Sequence, residues 1–413
     1  MEAVQVKVPE ELIETKHELP LNLRIGIDQE LFFFDDCTPG SAFWLPNGTR
    51  IYQKLMNFIR DEYFKRDFQE VMTPIIAKKD LWQISGHWDQ YKENMFCFEC
   101  DDTEYALSAM NCPKACLLYK NQVRSYKELP LRLADMGALH RNELSGSLTS
   151  LFRNRKFCQD DAHVICTQNQ IKQEMKAAIE FLTYVYNIFG FKFDVALSTR
   201  PEKFIGAIEV WDKAEKELAE VLNASGLKWS ENNQDGAFYG PKIDIRLTDS
   251  LGRQHQCGTI QLDFQLPLRF ELKYVDDHGE LQTPVIIHRA IYGSFERFIA
   301  ILIEHYAGRW PLWINPRQIQ IVPVSEKFLE YAKNVQSELR KHKFFVDVDD
   351  SDNTVPKKIR AAQIKQYNYI VVVGQKEVDA KTVNVRYRDT DDKKMMLVEE
   401  LIGEIYQGIK EFK

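Results

Sequence analysis

Residues 286–298, IIHRAIYGSFERF, have the pattern of a strand that leads into a helix. Gly293 lies between the two elements, where the absence of a side chain lets a ligand approach the backbone. Arg297 would then emerge beside that approach. The segment therefore predicts a binding site at the junction of strand and helix.

A second stretch has the pattern of a hairpin. Residues 139–143, LHRNE, and residues 153–157, RNRKF, flank a loop that contains serine and glycine. Arg141 and Arg153 suit a bent polyphosphate, because a guanidinium bonds phosphate oxygens in a fork that lysine cannot match. The same residues also fit a hairpin whose arginines are simply solvated.

The rest of the amino-terminal three quarters predicts helices inserted between strands. Apolar residues at helical spacing indicate helices over 51–66 and 209–222, and a strand should follow the first helix and end at Pro74. Further short strands are expected at 131–139, 243–247 and 259–264. This order predicts an α+β domain on a largely antiparallel sheet with flanking helices.

The order of predicted helices and strands changes near Asn315-Pro316, which we take as the domain boundary. We therefore expect a domain at 1–315 and a smaller α/β domain at 316–413. Within the smaller domain, the apolar run 370–373, closed by Gly374, predicts a strand that is buried on both faces.

Composition restricts the class of protein. A chain of 413 residues exceeds the size of one hydrophobic core, and its net charge of -7 leaves no global basic surface for nucleic acid. Its eight cysteines are scattered, which indicates reduced thiols and makes metal binding more plausible than disulfides. No apolar run is long enough to span a membrane, and the acidic amino terminus, with Glu2, Glu10 and Glu11, is unlike a transit peptide. We expect a cytoplasmic protein, or a mitochondrial one if the amino terminus has been processed.

In their order and separation, the helix and strand before Pro74, the hairpin and the segment 286–298 resemble the three motifs of class II aminoacyl-tRNA synthetases. The amino-acid sequence is similar to that of the threonyl-tRNA synthetase family over roughly residues 25–413. The shared phrases are MNCP at 110–113, QDDAH at 159–163, STRPEK at 198–203, GAFYGPK at 236–242, QLDF at 261–264 and HRA at 288–290.

The resemblance implies an ATP site on the antiparallel sheet. Arg141 would hold the α-phosphate and Arg153 the γ-phosphate, while Glu143 would contact the base. Phe157 and Arg297 would enclose the adenine ring by stacking and a cation–π contact. Magnesium would bind with ATP and bridge its phosphates.

The resemblance also implies one zinc ion per subunit, bound by Cys112, His163 and His288. These residues are too far apart in sequence for any zinc pattern built on short spacings, but a thiolate and two imidazoles are a suitable ligand set for an open zinc site. The threonine pocket would be formed by Met110, Gln159, Asp161, Tyr239 and Ser294. Arg141, Lys242 and Arg297 are the residues expected to act in catalysis.

The carboxy-terminal domain resembles the family's anticodon-binding domain, and Glu377 and Arg386 are the residues expected to read the anticodon of tRNA(Thr). A loop salt bridge is the alternative role for this pair. The resemblance further implies a homodimer formed through the first motif, around Pro74.

Two other functions fit parts of the pattern. A class II synthetase for serine or proline would share the motifs but would not need the cysteine and histidines. A synthetase-like paralogue that binds tRNA without aminoacylating it is the second alternative, because the family usually has Gly-His where this chain has Lys114-Ala115. Only about 50 residues precede the first motif, so we expect no intrinsic editing of Ser-tRNA in this chain.

Overall fold

A computed structural model describes residues 19–248, 252–390 and 392–413. The acidic residues at positions 2, 10 and 11, on which the cellular location was predicted, lie outside these ranges. The helices are α1 (Leu21–Asp28), α2 (Pro46–Phe64), α3 (Lys79–Ser85), α4 (His87–Tyr91), α5 (Cys112–Lys120), α6 (Ile171–Ile188), α7 (Ile208–Ser225), α8 (Gln265–Arg269), α9 (Phe295–Tyr306), α10 (Leu329–Lys341), α11 (Val355–Ile364), α12 (Gln375–Ala380) and α13 (Val398–Lys410).

The strands are β1 (Phe32–Phe33), β2 (Phe43–Trp44), β3 (Gln69–Glu70), β4 (Ile76–Lys78), β5 (Cys97–Cys100), β6 (Thr103–Leu107), β7 (Arg124–Ser125), β8 (Leu131–Asp135), β9 (Ala138–His140), β10 (Lys156–Cys158), β11 (Asp161–Cys166), β12 (Lys192–Ser198), β13 (Trp229–Asn232), β14 (Lys242–Thr248), β15 (Gln254–Asp263), β16 (Tyr274–Val275), β17 (Leu281–Gln282), β18 (Val285–Ala290), β19 (Ile319–Pro323), β20 (Val346–Val348), β21 (Tyr369–Val373), β22 (Thr382–Tyr387) and β23 (Lys393–Leu397).

The described residues divide into two compact units. The larger consists of Phe34–Ala42 and Met56–Ile301, and the smaller of the described residues up to Phe33 together with Phe43–Leu55 and Leu302–Lys413. The division of the chain between residues 315 and 316 stays a prediction.

The larger unit is built on an eight-stranded sheet with the order β13-β12-β14-β15-β18-β11-β8-β3. Its neighbours are antiparallel except for two parallel pairs at the edges, β12 with β13 and β3 with β8. The predicted fold class, a largely antiparallel sheet with flanking helices, is confirmed.

Helix α6 packs on β15 and β18 of this sheet. It is amphipathic: Met175, Ile179, Leu182 and Val185 are buried at intervals of three or four residues, which places them on one face. Truncating one of these side chains, as in Leu182→Ala, would cost about 2–5 kcal/mol of stability, since it leaves a cavity under the sheet.

The predicted helices and the strand before the third motif are confirmed, but two predicted strands differ. The strand expected to end at Pro74 comprises only Gln69–Glu70, and the strand expected over 131–139 is interrupted after Asp135. Asp135 is bonded at both places, because its carboxylate accepts hydrogen bonds from the Thr73 hydroxyl and from the backbone N–H of Gly137. These bonds stabilise the two non-strand segments that follow β3 and β8.

The smaller unit contains a five-stranded sheet with the order β20-β19-β21-β22-β23. Strand β19 is parallel to β20 and β21, whereas β22 and β23 are antiparallel. Val371 and Val373 belong to one hydrophobic cluster and Ile370 to another, so β21 is buried on both faces, as predicted. Within the described residues, no helix is long and apolar enough to cross a lipid bilayer.

Candidate active site

A row of side chains crosses four neighbouring strands of the larger sheet. The strand register pairs Lys242 with Gln261, Gln261 with His288, and His288 with His163. Residues directly opposite one another on antiparallel strands lie on the same face of the sheet. Register alone therefore brings together two histidines that are more than a hundred residues apart in the chain.

Cys112 completes a three-residue cluster with these histidines. It is the first residue of α5, and all three side chains are buried. One ligand atom from each residue lies within 4.8 Å of the other two, and the two imidazole rings meet edge to face at 4.9 Å. The structure thus brings together the residues predicted to bind zinc.

The burial, hydrogen bonding and protonation of His163 are those expected of a metal ligand. The residue is 1% exposed, and neither ring nitrogen has a hydrogen-bond partner among the described residues. Buried polar atoms are normally satisfied, so an unpartnered imidazole needs an explanation. Burial lowers the pKa of His163 well below its usual value, and the neutral imidazole is the form that binds metals.

His288 is oriented by a buried carboxylate. Its Nε2 lies 2.8 Å from Oδ2 of Asp263, whose Oδ1 accepts the backbone N–H groups of Gln265 and Leu266. The carboxylate therefore favours the tautomer that carries its proton on Nε2, and Nδ1 is left as the ligand nitrogen. Carboxylate–histidine pairs of this kind orient and strengthen metal-binding histidines.

The thiol of Cys112 also fits a metal site. Burial raises its pKa well above the usual value, and the nearby Asp161 carboxylate raises it further. A bound cation would favour the thiolate, because metal ligation deprotonates a cysteine. One sulfur and two imidazole nitrogens are three protein ligands, which leaves a fourth position of a tetrahedral zinc ion for substrate.

Asp161 and Tyr239, predicted to bind threonine, border the cluster. An oxygen of Asp161 lies 4.0 Å from Nε2 of His163, and burial raises the pKa of Asp161 to about 6. The ring of Tyr239 lies 5.3 Å from that of His288, and its hydroxyl donates to Oε1 of Gln261 at 2.6 Å.

The other predicted pocket residues are held by neighbouring groups. Gln159 and Ser294 form an isolated backbone bridge, which links the end of the hairpin to the segment before α9. The sulfur of Met110 lies 2.9 Å from Nε2 of His87. Lys242 donates to Oδ2 of Asp244 at 2.6 Å.

The predicted ATP-binding residues are grouped on the hairpin and at the start of α9. Strands β9 and β10 pair as predicted. The Arg141 guanidinium lies over the Phe157 ring at 5.0 Å, and Arg153 forms an ion pair with Glu143 at 2.8 Å.

Arg297 donates to two backbone carbonyls, those of Phe152 and Gln256, each at 3.0 Å. Its charge interacts with those of Arg141 and Arg153. Three guanidinium groups therefore converge on one region, which would suit a highly charged anion such as a nucleoside triphosphate.

Comparison with known proteins shows which family the chain belongs to. Residues 96–306 match the tRNA synthetase class II core domain (G, H, P, S and T), and residues 318–407 match the Anticodon binding domain. The structure of the RNA binding domain of threonyl-tRNA synthetase from Cryptosporidium parvum Iowa II is 50% identical, with a TM-score of 0.92, and the match covers 94% of this chain and 98% of that one. This chain belongs to the threonyl-tRNA synthetase family.

Curated relatives of this threonyl-tRNA synthetase family member are longer. The match to "Probable threonine--tRNA ligase 1, cytoplasmic" of Dictyostelium discoideum is 56% identical and covers 94% of this chain but 55% of the relative. The match to "Threonine--tRNA ligase 1, cytoplasmic" of Rattus norvegicus is 55% identical and covers 94% and 56%. The chain thus spans about half the length of the curated relatives it matches.

Sequence reasoning missed His87, which is the first residue of α4. Its Nε2 lies 3.9 Å from the Cys112 sulfur, and its ring packs against Phe238 at 5.3 Å. Burial lowers the pKa of His87 to about 3. No motif marks this residue, whereas Gln261 and Asp263 lie inside the family phrase QLDF, which could have identified them.

Glu377 and Arg386 belong to the smaller unit. The Glu377 carboxylate accepts the backbone N–H of Gly374 at 2.9 Å and so caps α12. The Nε of Arg386 is buried and has no partner among the described residues. Their role in reading the anticodon stays a prediction.

Proposed function

We propose that this chain forms the catalytic and anticodon-binding parts of a zinc-dependent threonine-tRNA ligase. It would activate threonine with ATP to threonyl-adenylate and transfer the threonyl group to the 3′ end of tRNA(Thr). The observation that carries the proposal is the convergence of Cys112, His163 and His288 on one face of a class II synthetase sheet.

The proposed pocket selects its amino acid through the hydroxyl group. When bound, zinc would take the amino and hydroxyl groups of threonine as ligands, and Asp161 and Tyr239, which border the cluster, would bond the same groups. A site built to bind a hydroxyl rejects an analogue lacking it by roughly 10⁴–10⁵, whereas one methylene changes binding by only about 1–3 kcal/mol. Valine would therefore be rejected strongly and serine weakly.

Activation requires no covalent bond to the protein. The threonine carboxylate would attack the α-phosphorus of ATP, the bond from this phosphorus to the α,β-bridging oxygen would break, and pyrophosphate would leave. Magnesium, when bound, would neutralise phosphate charge. Arg141 would neutralise charge on the α-phosphate, and Arg153 would bind the γ-phosphate. Phe157 and Arg297 would enclose the adenine, so catalysis would come from positioning and charge stabilisation.

Several partner assignments belong to the same proposal. The partners are tRNA(Thr) and a second copy of the chain, bound through the segment around Pro74. The proposed location is the cytoplasm, as in the names of the relatives. The expected lack of editing also stays a prediction, which deacylation of Ser-tRNA(Thr) by the purified chain would overturn.

The experiment measures amino-acid-dependent exchange of pyrophosphate into ATP by zinc-loaded protein. Threonine, serine, proline and valine are each tested separately. Threonine should support the fastest exchange, and proline none. A chain that binds zinc and tRNA but supports no exchange would instead be the non-aminoacylating paralogue.

Two buried cysteines of α5 provide a matched comparison. Cys112→Ala should lose both zinc and exchange, since it removes a ligand. Cys116→Ala removes a thiol one turn along the same helix, where the side chain packs in a hydrophobic cluster, and should keep its zinc. Equal zinc content in the two variants would argue against the proposed ligand set.

A further inference from the structure

Asp244 is a buried carboxylate on the face of the larger sheet that carries the two histidines. It lies two residues after Lys242 on β14, and alternate residues of a strand face the same side. Lys242 is in turn paired through Gln261 with His288. Asp244 is 0% exposed, and an ionised carboxylate is costly to bury unless its oxygens are hydrogen-bonded and its charge is paired.

Both oxygens of Asp244 accept hydrogen bonds from side chains. Oδ2 accepts from the Lys242 ammonium at 2.6 Å and from the Ser198 hydroxyl at 2.7 Å. Oδ1 accepts from Nε2 of Gln256 at 2.6 Å. The ammonium pairs the negative charge, and such charge-assisted hydrogen bonds are stronger than neutral ones. Side chains from three neighbouring strands, β12, β14 and β15, therefore hold the carboxylate in place.

The position of the Lys242 ammonium depends mainly on this carboxylate. The Lys242 side chain is 12% exposed, and its ammonium also lies 3.3 Å from Oδ2 of Asp235, a side chain that is 53% exposed. An exposed ion pair contributes little, because water screens it. A lysine ammonium is a compact charge on a flexible stem, so its location is set by the partner that binds it most firmly. That partner is Asp244.

Gln256 connects this contact with the predicted ATP site. Its side chain donates to Asp244, and its backbone carbonyl accepts a hydrogen bond from Arg297 at 3.0 Å. One residue of β15 thus contacts both the carboxylate that holds Lys242 and the guanidinium expected to enclose the adenine ring. The two cations are therefore held in relation to each other by bonds to the same residue.

We propose that Asp244 is a positioning residue of the active site, which is held by Gln256 and fixes the Lys242 ammonium for the activation of threonine. The inference rests on the proposed function, because it requires Lys242 to act in that reaction. Asp244 itself need not contact either substrate. Attack on the α-phosphorus places negative charge on phosphate oxygens, and a cation that is already fixed stabilises this charge without having to reorganise.

Asp244→Asn isolates the bond with Lys242. The asparagine oxygen can still accept from Gln256, and its amide can donate to the Ser198 hydroxyl, which both donates and accepts. An amide N–H group cannot accept from an ammonium, so only the bond with Lys242 is lost. The kcat of threonine-dependent pyrophosphate exchange should fall by about 10- to 100-fold, the usual contribution of a hydrogen bond between charged groups. The KM values for threonine and ATP should change by less than about threefold, since the lost interaction acts in the transition state.

Asp194→Asn is the matched control. Asp194 lies on the adjacent strand β12, is exposed, and accepts Nε2 of Gln254 at 2.9 Å, so the variant makes the same change in another aspartate–glutamine pair of the sheet. Its kcat should equal that of the unmodified chain. Zinc content should be one per chain in both variants, because β12 and β14 carry no proposed ligand. An equal fall of kcat in both variants would overturn the inference.

A double-mutant cycle with Lys242→Met tests the route through the ammonium. Lys242→Met alone should lower kcat at least as much as Asp244→Asn. If Asp244 acts through Lys242, adding Asp244→Asn to Lys242→Met should change kcat by less than about twofold. Fully additive losses would show an effect of Asp244 that does not pass through Lys242, and would overturn the inference.

Gln256→Ala provides a second test that leaves the buried groups unchanged. Gln256 is exposed, so its truncation should leave the fold intact. Because the carboxylate loses the bond to Oδ1, kcat should fall by about 3- to 10-fold, whereas the KM for ATP should stay within about threefold, since the backbone carbonyl that binds Arg297 remains. If Asp244→Asn does not fold, Gln256→Ala carries the test, and an unchanged kcat would overturn the inference.

The outcomes separate this inference from the proposed function. If the unmodified chain supports threonine-dependent exchange but Asp244→Asn or Lys242→Met keeps its kcat, the inference is wrong and the function stands. A higher KM for both substrates in Asp244→Asn, with kcat unchanged, would indicate a role in binding and would also overturn the inference. No exchange by the unmodified, zinc-loaded chain would overturn the proposed function itself.

Discussion

His288 and Asp263 form a buried pair in which the Nε2 of the imidazole meets Oδ2 of the carboxylate at 2.8 Å. Asp263 is 0% exposed and ends β15, while His288 lies on the adjacent strand β18. The carboxylate fixes both the tautomer and the orientation of the ring. Metal affinity should therefore depend on a residue that does not itself bind the metal.

Asp263→Asn should weaken zinc binding by about 10- to 100-fold, the usual effect of losing such a carboxylate. Asparagine can still accept the two backbone N–H groups through Oδ1, so the change is confined to the bond with His288. Competition with a chelator of known affinity measures the effect. Asp276→Asn is the control, because this exposed carboxylate also accepts backbone N–H groups, from His278 and Glu280. Equal affinities in the two variants would contradict the prediction.

The sequence predicted the ligand residues through family phrases rather than through spacing. Spacing could not reveal them, because His163 and His288 are neighbours only through the pairing of β11 with β18. Register is a long-range property, set by which strands pair and where each begins. Periodicity predicted helices such as α7 because an amphipathic pattern is local.

Other features could not be predicted because they depend on tertiary contacts. At the break between β8 and β9, the side chain of Asp135 accepts a hydrogen bond from the backbone N–H of Gly137. A lysine at position 114 would ordinarily be placed on the surface. In the structure it is buried, and its ammonium group donates hydrogen bonds to Asn111 and to the backbone carbonyl of Pro74. His87 lies in no motif and is recognised only by its distance from Cys112.

Arg297→Lys should lower kcat/KM for ATP by roughly 10- to 100-fold, with threonine binding and zinc content unchanged. The guanidinium bonds the carbonyls of Phe152 and Gln256 at once, and a lysine cannot reproduce both bonds or the planar face for adenine. Pyrophosphate exchange at varied ATP measures the effect. Arg60→Lys, in an exposed ion pair with Glu70 of the same unit, should match the unmodified chain. A comparable loss of threonine binding in Arg297→Lys would contradict the assignment.

Asp160 should make stability depend on pH. Burial raises the pKa of this carboxyl to about 7, although it accepts the backbone N–H groups of Ile291 and Tyr292. A folded pKa above the unfolded value of about 3.9 means that the folded state holds the proton more tightly. The resulting stabilisation is complete below about pH 4 and is lost as the pH rises to about 7, at up to about 1.4 kcal/mol per unit.

Asp160→Asn should remove this dependence. The variant should be less stable than the unmodified chain at pH 4.5, because it loses one acceptor, and the difference should narrow as the pH rises to 7. Urea unfolding at four pH values measures the difference. Asp101→Asn, in an exposed turn, should give a constant difference across the range. A constant difference for Asp160→Asn as well would show that this carboxylate is already ionised at pH 4.5.

Arg386→Ala should reduce kcat/KM for aminoacylation of tRNA(Thr) by roughly 10-fold or more, since a polar contact to a base contributes about 1–3 kcal/mol. Arg386 lies on β22 of the smaller unit, and its buried Nε has no hydrogen-bond partner among the described residues. Lys341→Ala removes the same charge from an exposed ion pair on α10 and should have little effect. Threonine-dependent pyrophosphate exchange, which needs no tRNA, should be unchanged in both variants. A parallel fall in exchange for Arg386→Ala would assign the residue to folding of the smaller unit rather than to the anticodon.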